Sequence, residues 1–295
     1  MGAVPHVFHN QRQSSVLSRN RILKIAVAIG IIALISTTMI YLDSWPPMTV
    51  VASESMQHSG QWTYNSINTG DIVMIRHASS PMKQVVTYVN GSSSGYSTYG
   101  EYGNVIIYRA PNGENIIHRA IFYLEWKSGN PYVVGYNSQS WIKVTRNYIL
   151  LSNIGFSHRN AVLYLKYVLN ESGFITMGDH NLAYASSSYY NTSLNAYAIF
   201  DQDGIFLFNV NGKTITDPPV APSWVVGIAF GEIPWFGLVK LNAEWALGLQ
   251  KEQNPVPLNS YVYFFITISV VALASIIPGR KKDKSDQEIK AGRKP

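Results

Sequence analysis

The sequence predicts a mainly β domain, with antiparallel strands, held between one N-terminal and one C-terminal transmembrane helix. Three observations support this: two uncharged apolar segments, basic residues next to both segments, and many short β-branched and aromatic runs between them. The predicted parts are a cytoplasmic segment, a first span, an extracytoplasmic β-rich domain, a second span and a basic cytoplasmic tail. Their ranges are 1–21, 22–42, 43–258, 259–278 and 279–295.

The two apolar segments are long enough to be considered as membrane spans. Residues 25–42 carry no charge, and a helix of that length rises about 27 Å, close to the ~30 Å of a hydrocarbon core. Residues 261–278 begin with aromatic side chains and end against Arg280 and two lysines. Because basic residues favour the cytoplasmic side, both termini are expected in the cytoplasm and 43–258 outside. The alternatives are a cleaved signal peptide and a buried core helix.

Composition narrows the classes of function. The chain has no cysteine, so disulfides and thiolate metal sites are excluded. The net charge is +6, but residues 43–278 carry 12 basic and 14 acidic residues. The basic excess therefore lies at the two ends, and no nucleic-acid partner is predicted.

The outer region is predicted to form short strands separated by turns, which are indicated by residue pairs such as Asn-Gly and Ser-Gly. The predicted strands lie at 71–76, 84–89, 104–110, 115–126, 131–136, 173–178, 204–210 and 224–230. Residues 158–173 have helical apolar spacing and predict a short helix. Two Ser/Tyr-rich stretches, 90–103 and 182–198, are expected to be flexible loops. Glycosylation sequons begin at Asn90, Asn170 and Asn191.

A serine, a histidine and an acid in the outer region are the residue types of nucleophilic catalysis. Ser55 lies about a dozen residues past the first span, with Ser53 two residues earlier. A hydroxyl becomes an effective nucleophile when a base takes its proton, and His118 in the strand-like run IIHRAI has a suitable side chain. Asp179 and Asp201 are both candidates to orient that imidazole. Spacing alone does not join these residues.

The order of motifs resembles type I signal peptidases, in particular their archaeal and endoplasmic-reticulum branch. The likeness covers most of 46–242, after a membrane span. Each motif alone has low specificity, and the ordered set carries the resemblance. The motifs are VVASESMQHS, GDIVMIR, NVIIYRAPNGENIIHRAI, FITMGDHN, FDQDG and PPVAPSWVVGIAFGEIPWFGLVKL.

The resemblance implies a signal-peptidase-like catalytic domain and a role for each residue. Ser55 would be the nucleophile and His118 the general base, in place of the lysine of the bacterial branch. The Ser53 hydroxyl and the Ser55 backbone N–H would form the oxyanion hole, and Met56 would pack beside the substrate pocket. The enzyme would cut preproteins after small residues through an acyl-enzyme, without a cofactor or metal.

The resemblance also implies partners and a location. The substrates would be the signal peptides of exported preproteins, bound as extended chains. The lipid bilayer and the protein-export channel would be the other partners. The enzyme would sit in the cell membrane with its catalytic domain outside the cytoplasm.

The chain departs from the family pattern at several positions. Gln57 and His58 occupy the place where the family usually has a proline soon after the methionine. In the Gly-Asp-Asn-Asn motif, Met177 replaces the usual lysine and His180 takes the third place.

The family's second acid is also displaced here. It normally follows within about ten residues, whereas the insertion 182–198 intervenes and the next acid is Asp201. Because Gln202 follows it as the pattern expects, Asp201 is the favoured partner of His118, with Asp179 as a supporting carboxylate.

Three other functions are compatible with parts of the pattern. A self-cleaving serine domain of the repressor type shares the catalytic residue types, but it would not explain the two predicted membrane spans. A catalytically inactive, membrane-anchored β-domain surface or scaffold protein fits the degenerate motifs. A metal site using His118, His180 and the two aspartates lacks short ligand spacing. Trp235 and Phe236 are candidates either for the core or for contact with a membrane surface.

Overall fold

The computed structural model describes residues 12–44, 46–111, 113–168, 170–200 and 218–276, and it is dominated by antiparallel sheets. The helices are α1 (Arg12–Leu42), α2 (Pro81–Gln84), α3 (Tyr88–Ser94), α4 (Asp179–Ala183), α5 (Leu238–Ala246) and α6 (Leu258–Ile276). The strands are β1 (Met48–Val50), β2 (Ile72–His77), β3 (Ser97–Thr98), β4 (Glu101–Tyr102), β5 (Val105–Arg109), β6 (Asn115–Lys127), β7 (Asn130–Val133), β8 (Ile142–Val144), β9 (Tyr148–Ile154), β10 (Arg159–Tyr164), β11 (Gly173–Met177), β12 (Tyr190–Asn191), β13 (Ala196–Tyr197) and β14 (Val225–Ile233).

A seven-stranded sheet forms the centre of the domain. Its strand order is β1-β2-β14-β5-β6-β11, with β7 also paired to β6, and every pairing in it is antiparallel. A second sheet has the order β12-β13-β10-β9-β8. The mainly antiparallel β domain predicted from the sequence is confirmed.

The central sheet is buried on both faces. In β5, Val105 and Ile107 pack in one apolar cluster, while Ile106 and Tyr108 pack in another. Successive side chains of a strand point to opposite faces, so a run of four apolar residues fills both clusters. The face that holds Val105 and Ile107 is called here the front face, and the other the back face.

One helix among the described residues is long and apolar enough to cross a membrane. This is 21–42, the predicted N-terminal span, within the longer helix α1. The apolar part of α6, 258–274, is shorter, so a second transmembrane helix is not shown. The first turn of α6 is tied to the β domain, because Asn259 exchanges two hydrogen bonds with the backbone of Trp62.

Two local predictions were wrong. Within 158–173, the predicted helix is strand β10 followed by one 3-10 turn, because pairing with β9 and β13 satisfies the backbone. Residues 84–89 form the end of α2, a connection and the start of α3 instead of a strand. The side chain of Thr87 caps α3 by accepting a hydrogen bond from the backbone N–H of Asn90.

The two insertions contain short regular elements. Residues 90–103 hold most of α3 and the β3–β4 hairpin, and 182–198 hold the end of α4 and strands β12 and β13. The predicted strand 204–210 lies outside the described residues.

Candidate active site

Ser53 and Ser55 lie in a tight loop directly after the edge strand β1. The backbone N–H of Val51 donates to the carbonyl of Asp71 at 3.0 Å, and that of Gln57 donates to the carbonyl of Glu54 at 2.8 Å. The Ser53 and Ser55 hydroxyl oxygens are 3.2 Å apart, and Ser55 is partly exposed. The loop therefore presents two neighbouring hydroxyls at the surface, as a nucleophile and an oxyanion donor require.

The Ser55 loop rests against the segment that follows β11. The Ser55 carbonyl accepts a hydrogen bond of 2.9 Å from the backbone N–H of His180. A Cβ atom on Gly178 would overlap the Ser55 carbonyl oxygen and lie 3.0 Å from the Ser55 Cβ. A residue without a side chain at 178 is thus what permits this close approach.

His118 lies in β6 and is buried, with 3% of its surface exposed. Its register partner in β5 is Ile106, which packs on the back face. Directly opposed residues of an antiparallel pair share a face, so the imidazole also lies on the back face. There its ring centroid is 6.5 Å from that of Tyr108.

The end of β11 brings the serine and histidine segments together. Met177, the last residue of β11, pairs with Arg119, the residue directly after His118. The next residue, Gly178, contacts Ser55. Two segments 63 positions apart in the chain therefore meet at one end of one strand.

Asp179 is engaged by partners other than His118. Arg119 donates to both of its carboxylate oxygens, from Nε at 2.8 Å and from Nη2 at 2.6 Å. The His58 Nε2 lies 3.0 Å from Asp179 Oδ2. Arg119 pairs with Val105 and so occupies the front face, opposite the side on which His118 lies. Both carboxylate oxygens of Asp179 are therefore engaged by Arg119 and His58, and which aspartate orients His118 stays a prediction.

The Asp179 carboxylate is held in its charged form. Burial by itself would raise the pKa of Asp179, but the adjacent Arg119 charge and the hydrogen bonds from Arg119 and His58 hold that pKa below its ordinary value. The carboxylate is a buried anion neutralised by a buried cation.

Arg119 also ties the β3–β4 hairpin to the site. Its Nη1 donates to a ring of backbone carbonyls, those of Thr98, Glu101, Tyr102 and Gly103, at 3.0–3.3 Å. One guanidinium thus joins the first half of β6, the start of α4 and the hairpin.

His58 and His180 hold the two sides of the serine loop, although the family resemblance implies no role for either residue. The His58 ring stacks on Phe156 with centroids 4.3 Å apart. The His180 ring stacks on Tyr184 at 4.2 Å, and its Nδ1 is 3.2 Å from the Gln57 carbonyl oxygen. The sequence did single out both histidines, because each stands at a position where the chain departs from the family pattern.

Met56 lies in the core, with 1% of its surface exposed. It packs in the front-face cluster with Val51, Ile67 and Val73 among others. The side chain therefore supports the serine loop from beneath. The resemblance had implied a place beside the substrate pocket, and that role stays a prediction.

The Gly-Asp pair before β2 has a clear structural role. Asp71 is fully buried and accepts hydrogen bonds from the Trp62 indole N–H, from Asn68 and from the backbone N–H of Trp235. Burial raises the pKa of Asp71, although these hydrogen bonds oppose the change. The pair organises the base of the domain, next to α6.

Asp201 and Gln202 lie outside the described residues. Phe200, the residue before them, is buried and packs edge-on against Phe122 with ring centroids 6.2 Å apart. Phe122 is four residues after His118 in β6. Among the described residues, no group of three or more His, Asp or Glu side chains is arranged to hold a metal ion.

No protein-family model matches this chain, and no curated protein matches it significantly.

Proposed function

We propose that this chain is a membrane-anchored serine endopeptidase of the type I signal peptidase kind, which cleaves exported preproteins after small residues. The observation that carries the proposal is the seating of the Ser55 loop against Gly178, at the end of the strand pair that contains His118. The pair of hydroxyls at 53 and 55 and the buried histidine are the residue types that acyl transfer uses. Their segments meet at the end of β11, with the imidazole on the back face of the sheet and Met56, next to Ser55, in the front-face cluster.

The proposed reaction begins when His118 takes the proton of the Ser55 hydroxyl. The oxygen attacks the carbonyl carbon of the scissile peptide, and the oxyanion is stabilised by the Ser55 N–H and the Ser53 hydroxyl. His118 then protonates the leaving amine, so the mature protein departs first. Water hydrolyses the ester that joins the signal peptide to Ser55, again with His118 as base.

Asp201 is proposed as the carboxylate that orients His118. Asp179 is committed to Arg119 and His58. Phe200, the residue before Asp201, packs on Phe122 of β6, the strand that holds the histidine.

We place the domain on the outer surface of the cell membrane, with α1 as the first span and α6 as the start of the second. Several apolar side chains around α5 are exposed beside the first turn of α6: Phe236, Val239, Trp245, Leu247 and Leu249. An apolar surface next to the helices that enter the bilayer suits contact with the interfacial layer. A membrane-inserted signal peptide would then reach the site without leaving the bilayer surface.

The test is cleavage of a model preprotein in liposomes by the full chain and matched variants. Ser55→Ala and His118→Asn should each lower kcat by about 10⁴–10⁶-fold. The controls are Ser59→Ala, in the same loop, and His77→Asn, an exposed strand histidine. Both controls should retain wild-type turnover.

The variants separate the competing functions. A Ser55→Ala enzyme that still cuts would show that Ser55 is not the nucleophile. A folded wild-type chain that cuts no preprotein would favour the inactive surface or scaffold protein. An Asp201→Asn variant with unchanged turnover would remove Asp201 from the mechanism.

A further inference from the structure

The three sequons of the outer domain differ in whether the folded chain leaves the asparagine amide accessible. A sugar can be transferred to the side-chain nitrogen only if that nitrogen is free, the nearby hydroxyl is available and space exists beside them. Each condition can be compared at Asn90, Asn170 and Asn191.

Asn90 does not meet these conditions. It lies inside helix α3, and its side-chain oxygen fills the place where a Cβ of Gly135 would stand. The hydroxyl of Ser92, the third sequon residue, donates to the Val89 carbonyl at 3.1 Å. The sequon hydroxyl is therefore used inside the helix, and the asparagine side chain packs closely against the backbone at Gly135.

Asn191 is held by two hydrogen bonds at the β12–β13 turn. Its Nδ2 donates to the Tyr164 hydroxyl at 2.7 Å, and its Oδ1 accepts from the backbone N–H of Leu194 at 2.9 Å. The nitrogen that would receive a sugar is thus used to fasten the turn to β10.

Asn170 is open. It lies between the 3-10 turn after β10 and strand β11, and Asn170, Glu171 and Ser172 are all exposed. Within the described ranges, its side chain makes no hydrogen bond. It stands at the edge of a cleft of about 480 Å³ that is also lined by Trp126, Asn147, Tyr164 and Lys166 among others. This volume falls within the range of small-molecule sites, and its aromatic and amide groups suit the apolar and hydroxyl faces of a sugar.

We propose that Asn170 is the N-glycosylation site of the folded domain, with its first sugar beside this cleft, and that Asn90 and Asn191 are not modified. The donor is a polyprenyl-phosphate-linked sugar. A bond forms between Asn170 Nδ2 and the anomeric carbon, the bond from that carbon to the phosphate oxygen breaks, and the lipid phosphate leaves. The transferase takes the amide proton. In the cell, modification rests on the proposed outer location of 43–258.

The test uses the purified, folded full-length chain in detergent with a purified single-subunit oligosaccharyltransferase and its lipid-linked donor. Glycopeptides are identified by mass spectrometry. We expect one modified site, lost in both Asn170→Gln and Ser172→Ala. Ser92→Ala and Ser193→Ala remove the other two sequons without changing their packed asparagines, and both should leave the modification intact. A synthetic peptide of residues 165–176 shows that the transferase accepts this sequence.

The outcomes are distinguishable. Modification of the peptide but not of Asn170 in the folded chain would overturn the proposal, as would a glycan at Asn90 or Asn191. The reaction does not need peptidase activity, so Ser55→Ala should be modified like the wild type. If Asn170 is modified in the purified chain but not in the chain isolated from glycosylating cells, the proposed outer location is contradicted. The proposal that Asn170 is the accessible acceptor is then still supported.

Discussion

Replacing Asp179 by Asn tests whether the buried pair with Arg119 stabilises the fold of the candidate site. The two side chains are 1% and 4% exposed, and they are joined by two short hydrogen bonds. Asn keeps the shape but removes the charge, so the Arg119 cation stays buried without a counter-ion. Breaking one side of a buried ion pair costs about 3–5 kcal/mol. For a domain of this size, that lowers Tm by about 6–20 °C.

The matched control is the exposed pair between Lys127 and Glu125. Its atoms are also close, at 3.2 Å, but the side chains are 58% and 32% exposed. Glu125→Gln should change the stability by no more than about 0.5 kcal/mol. Thermal unfolding followed by circular dichroism in detergent, at neutral pH, measures both variants. An Asp179→Asn protein within about 1 kcal/mol of the wild type would refute the reasoning.

The pH dependence gives a second measurement of the same pair. Because the folded-state pKa of Asp179 is lowered, its contribution to stability is fully present above the ordinary pKa of 3.8 and is lost as the pH falls through the lowered value. The stability difference between wild type and Asp179→Asn should therefore be constant from pH 7 to about 5. It should shrink only in stronger acid. A difference that already disappears near pH 6 would mean that another group is responsible.

Three further predictions concern other parts of the domain. Gly178→Ala should displace the loop that carries Ser55 and lower kcat/KM of the proposed cleavage by about 100-fold. Gly60→Ala, which has open space around it, should not, and equal activities of the two variants would contradict the close packing. Burial, together with the nearby Asp71, raises the pKa of Glu232 from 4.5 to about 7. Because the folded state then binds the proton more tightly than the unfolded state, the wild type should become less stable as the pH rises from 4.5 to 7. The expected loss is about 1–2 kcal/mol after allowance for the partial exposure of the side chain. Glu232→Gln should not show this loss, and parallel pH curves from urea unfolding would refute the assignment. In liposomes, the emission of an environment-sensitive dye attached to Trp245→Cys should indicate apolar surroundings, and the emission of the same dye on Tyr132→Cys should indicate water. Equal emission spectra would contradict the proposed contact with the bilayer.

Local sequence pattern was sufficient where one stretch of chain determines its own burial. The apolar runs at 104–110 and 115–126 are strands of the central sheet, and the uncharged segment before residue 43 is a helix long enough to span a membrane. Local pattern gave the wrong element at two places. Residues 158–173 have helical apolar spacing but form strand β10, and 84–89 were predicted as a strand but include the start of the capped helix α3.

The candidate site likewise has features that the sequence predicts and features that depend on the tertiary structure. The sequence by itself determined the types of residue present, namely a serine pair, a strand histidine and two acids, because the order of short motifs can be read along the chain. Only the tertiary structure decided that Asp179 belongs to Arg119 and His58, that Met56 lies in the core and that Asn170 is the open sequon. Those outcomes depend on contacts between residues far apart in the chain, such as the 121 positions between His58 and Asp179. They also depend on which face of a strand each side chain takes, and the packing of the whole domain determines both.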